Sequence, residues 1–75
     1  MPKVQAKIKD YVAEHIDAIR DRDVGAADAV VAYAKMVTLE ALLECGVSPE
    51  SAEQKCTQVA SNMLHYELFN AYLRN

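Results

Sequence analysis

The sequence predicts an all-α protein. One domain spans residues 1–75, with three helices: a long helical hairpin plus an N-terminal helix, completed as a bundle by homodimerisation. Three observations predict this. Only two glycines and two prolines interrupt 75 residues, which favours long unbroken elements. Apolar residues recur at three- and four-residue steps, the helical period, and no stretch alternates as a strand would. The chain is 52% hydrophobic, high for a size at which folding hides only about 60–65% of the unfolded surface. A second copy is the simplest cover for the remainder.

The first helix is expected from Pro2 to Asp21. Val4, Ile8, Tyr11, Val12, His15 and Ile19 form its apolar stripe. Pro2 suits a first turn, where the missing N–H has no partner to lose. The second helix is expected from Val24 to Cys45, with Asp23 as N-cap and Gly46 just past the end. The third opens at Ser48-Pro49-Glu50: a capping hydroxyl, a proline at the first helical position, and a carboxylate at the positive end of the helix dipole. No breaker follows before Leu73, and Ser61-Asn62 is the place where this helix would bend or fray.

Residues 30–43, VVAYAKMVTLEALL, are apolar at eleven of fourteen positions. A membrane span needs about 18–20 apolar residues, so this segment does not cross a bilayer. Wound as a helix it carries two stripes, Val30, Ala34, Val37 and Ala41 against Ala32, Met36, Leu39 and Leu43, roughly 160° apart. Asp28, Lys35 and Thr38 separate them on one side, Glu40 and Glu44 on the other. Two opposed seams predict a helix covered on both sides, with Val30, Ala34, Val37 and Ala41 at a dimer or partner interface. In the third helix, Ala52, Cys56, Val59 and Met63 make one seam, and Ala60, Leu64, Leu68 and Ala71 a neighbouring one. Tyr66, Phe69, Tyr72 and Leu73 add a further face, more than one copy can bury. These four are expected to meet a second copy or another protein, since aromatics are favoured interface anchors.

Net charge is −3 and unevenly spread. Residues 10–53 hold ten acids against three bases, a net of −7. That disfavours nucleic acid and anionic membranes as partners. Asp10, Glu14, Asp17 and Asp21 fall on one ridge of the first helix, suited to docking on a basic protein surface. Lys7 and Arg20 are placed to relieve part of its self-repulsion.

Little points to catalysis. The spacing of Cys45, Cys56, His15 and His65 lacks the close pairs of zinc sites, and Gly25 and Gly46 form no phosphate loop. No metal and no cofactor are expected. His15 reads as a half-buried histidine bonded to a carbonyl or a tyrosine hydroxyl. His65 and Glu67, two residues apart, point to different sides. MPKVQAKIKD has no apolar run after its basic residues, so no signal peptide is expected. The expected location is cytoplasmic, with both thiols reduced.

Residues 38–56, TLEALLECGVSPESAEQKC, resemble the turn of helix-turn-helix repressors, in which an alanine-and-leucine helix ends at Gly-apolar-Ser before a second helix. Gly46, Val47, Ser48 and Ala52 sit where that pattern wants small or apolar residues. The resemblance implies a DNA-binding regulator, with Gln54, Lys55 and Gln58 as donors to bases or phosphates. Glu50 and Glu53 open that helix and repel phosphates, and both helices exceed the motif's usual length. The reading the sequence favours is therefore a non-enzymatic interaction module, an adaptor or inhibitor. It would act as a homodimer on a larger protein with a basic surface. The helix-turn-helix regulator is the alternative.

Overall fold

Two short turns and well-formed caps set the lengths of three helices in the computed structural model, which describes residues 1–74. They are α1 (Pro2–Arg20), α2 (Val24–Glu44) and α3 (Pro49–Arg74), and no strand occurs among the described residues. The Asp23 carboxylate accepts from the Ala26 N–H at 3.3 Å, satisfying an otherwise orphaned donor at the start of α2. The Ser48 hydroxyl accepts from the Ser51 N–H at 3.3 Å at the start of α3.

Both turns close in the same way. After α2, the N–H groups of Gly46 and Val47 donate to the carbonyls of Leu43 and Leu42, and Gly46 adopts φ +88°. This is the paired closure of a Schellman turn. After α1, Arg22 and Asp23 donate to Ile19 and Ala18 in the identical pattern. Here the left-handed position is held by Arg22, at φ +62°. A side chain costs about 1–2 kcal/mol in that conformation, so this turn is closed under strain.

Connections this short make successive helices antiparallel, and each helix packs on both others. Val4, Ile8 and Val12 of α1, Val30, Ala34 and Val37 of α2, and Ala60 and Leu64 of α3 form one cluster. Alanines on α2 and α3 let the helices approach closely. Val30, Ala34 and Val37 are 2%, 1% and 5% exposed, and with Ala41 they pack in the chain's own core. The single chain itself covers Val30, Ala34 and Val37, and leaves Ala41 half-buried. α3 runs unbroken through Ser61-Asn62, and its 26 residues, at about 1.5 Å each, account for the 38 Å long axis.

Two polar residues go inside against their pattern. Thr38, expected to separate the stripes of α2, is 0% exposed, and its Oγ1 has no hydrogen-bond partner. Glu67, on the core side of α3, is 5% exposed. Among the described residues, no helix is long and apolar enough to cross a membrane.

Candidate functional site

Tyr66, Phe69 and Leu73 lie at three- and four-residue steps on α3, on the side away from Ala60 and Leu64. They are 58%, 64% and 69% exposed. A contiguous apolar trio this open is unusual on the surface of a single chain. Tyr72 is exposed too, at 46%, but it also meets α1. The Arg20 guanidinium carbon sits 5.4 Å from its ring centroid, within the reach of a cation–π contact. The four residues grouped from sequence thus divide into an outward trio and one tyrosine that ties α3 to the end of α1.

The second stripe of α2 also faces outward. Met36 and Leu43 are 50% and 42% exposed, Ala32 is exposed, and Leu39 is half-buried. The hairpin topology sets Met36, Leu39 and Leu43 at the opposite end of the bundle from the α3 trio, since they lie in the later half of α2 and the trio at the end of α3.

Beside that stripe is a groove of about 470 Å³ between the start of α1 and the end of α2. Val4, Val37 and Ala41 make its apolar floor. Lys3 and Lys7 line it from α1, and Glu40 and Glu44 from α2. Each pair is spaced i, i+4, so each forms a short row along its own helix. This feature was missed in the sequence. Its signal was two like-charged i, i+4 pairs at the two ends that an antiparallel hairpin brings together. A smaller hollow of about 230 Å³ lies between α2 and α3 and includes Lys35, Ser61 and His65.

Asp10, Glu14, Asp17 and Asp21 are all exposed on one side of α1. No ion pair joins two described residues. Lys7 also lines the groove, and Arg20 covers Tyr72.

His15 is occupied structurally. Its Nδ1 donates to the Tyr11 carbonyl at 2.9 Å, and its ring stacks on Tyr11 with centroids 4.3 Å apart. Tyr11 stacks in turn on Tyr33 at 4.1 Å, making a three-ring column that joins α1 to α2. His65 is exposed while Glu67 is buried, as two-residue spacing on a helix requires. Both thiols are free, Cys45 exposed and Cys56 buried. Cys56 Sγ donates to the Glu53 carbonyl at 3.4 Å. Among the described residues, no group of three or more His, Cys, Asp or Glu is placed to hold a metal ion. Gln54, Lys55 and Gln58 are exposed, as are Glu50 and Glu53 on the same helix. The Gln58 amide already donates to Asn62 at 3.1 Å.

No protein-family model, curated protein or solved structure matches the chain.

Proposed function

We propose that this chain is a small non-enzymatic interaction module, an adaptor or inhibitor that pairs with itself and occupies a surface on a larger protein. The observation that carries this reading is the outward trio Tyr66, Phe69 and Leu73. Their spacing is that of the anchor residues an amphipathic helix lays into a partner's groove.

Two further quantities support it. A monomer of 8.3 kDa is expected to expose about 4,600 Å²; this chain exposes 5,023 Å². Its radius of gyration is 12.5 Å, against about 11.3 Å for a compact chain of this length. The surplus surface suits a chain that works in company. The acidic ridge on α1 would steer the module toward a basic partner and raise the rate of encounter.

The test compares capture by tagged wild type with capture by two variants. One is Phe69→Ser; the other is the ridge variant D10N/E14Q/D17N/D21N. The partner retained by wild type should be lost by F69S and bound more slowly by the ridge variant. Equal retention by all three removes the proposed surfaces. Titration of labelled duplex at low salt addresses the alternative, because binding there would favour a DNA-reading regulator.

A further inference from the structure

We infer that a second copy of this chain seats on the groove between α1 and α2, with the lysine row of each copy against the glutamate row of the other. This rests on the self-pairing reading above and names the surface and the symmetry.

The signs of charge around the groove select its occupant. Lys3 and Lys7 line it from one helix, Glu40 and Glu44 from the other, and no ion pair joins these rows within the chain. An anionic amphiphile in the groove would face the glutamates, and a cationic one the lysines. The surface that satisfies both rows carries the same two rows in swapped order. This chain supplies that surface when a two-fold axis runs parallel to the groove. Such an axis lays α1 of one copy over α2 of the other, twice, so every lysine row meets a glutamate row. A two-fold across the groove would set like on like, which is destabilising.

The apolar part of the contact is present as well. Val4, Val37 and Ala41 form the floor. Met36, one turn before Glu40, and Leu43, three residues after it, provide an exposed apolar shoulder on α2. A standard interface removes about 800 Å² per partner, roughly a sixth of this chain's surface.

The axis has a functional corollary. Because it runs along the bundle, both copies point the same way, and the two Tyr66–Phe69–Leu73 patches emerge at the same end. The dimer is then a bivalent reader, in which a second contact follows the first at high effective concentration.

The test is charge reversal followed by sedimentation. Wild type should be a dimer at micromolar concentration and weaken as salt rises. K3E/K7E and E40K/E44K should each dimerise roughly tenfold or more weakly, because acid then faces acid or base faces base. An equimolar mixture of the two should form heterodimers near wild-type affinity. The fourfold variant K3E/K7E/E40K/E44K should dimerise as wild type does, which also shows that none of the four changes prevents folding. If wild type is a dimer and both double variants match it, the groove is not the interface and only this inference falls. A heterodimer that fails to form has the same consequence. A monomeric wild type overturns both this inference and the self-pairing reading.

Discussion

The two stripes of α2 are both wholly apolar and opposite in fate. Val30, Ala34, Val37 and Ala41 are enclosed by α1 and α3, while Ala32, Met36, Leu39 and Leu43 face outward. The stripe with the smaller side chains went inside. Three helices sharing one core must approach closely, and alternating valine and alanine permit it. The bulkier methionine and leucines would have held the helices apart. Helical periodicity therefore tells which residues need cover, whereas side-chain size helps decide which stripe the chain covers by itself.

The largest expected effect is in the core that the inner stripe shares with α1. Ile8→Ala, in the cluster with the inner stripe, should lose about 2–5 kcal/mol of unfolding free energy in urea. Met36→Ala on the outer stripe, measured at high dilution, should stay within about 0.5 kcal/mol. Equal losses would erase the distinction. The same substitution at neighbouring alanines sharpens it: Ala34→Leu overpacks the core and should cost about 1–3 kcal/mol, while Ala32→Leu should fall within about 0.5 kcal/mol.

The turns provide a control that touches neither stripe. Gly46→Ala should lose about 1–2 kcal/mol from the left-handed backbone alone, because the added Cβ meets nothing within 4 Å. Arg22→Gly should act in reverse and raise the thermal midpoint, with a gain of up to about 1 kcal/mol. Neither should alter self-association; a shift there would tie the turns to the interface. The smallest effect tests the border between the stripes. Thr38→Val removes a buried hydroxyl with no partner and should stabilise by about 1 kcal/mol. A loss instead would show that the hydroxyl is satisfied in solution.

Most of the fold was legible because its signals are local. Asp23, Gly46 and Ser48-Pro49 mark helix ends through their own backbone chemistry, and the observed bounds fall within a residue of those expected. What was not legible depends on three bodies meeting. Thr38 lies on the same flank of α2 as Val31 and Lys35, which face α3 across the smaller hollow. No pattern within α2 says that α3 will close over one of the three and leave the others at the rim. Arg22 was equally hidden, since a left-handed arginine has no composition signature. The outward trio was readable as a face needing cover. The contact of Tyr72 with α1 was not, because that depends on where Arg20 ends up after the first turn. The groove was half-readable: its charge rows are in the sequence, but their pairing across two helices waits on the direction of the hairpin.

The unequal burial of the two cysteines has a practical consequence. Cys45 is open at the edge of the groove, while Cys56 is enclosed with its sulfur hydrogen-bonded to Glu53. A maleimide dye offered briefly to the native protein should therefore attach to Cys45 first. It would place a single reporter beside the groove without any engineered change to the chain.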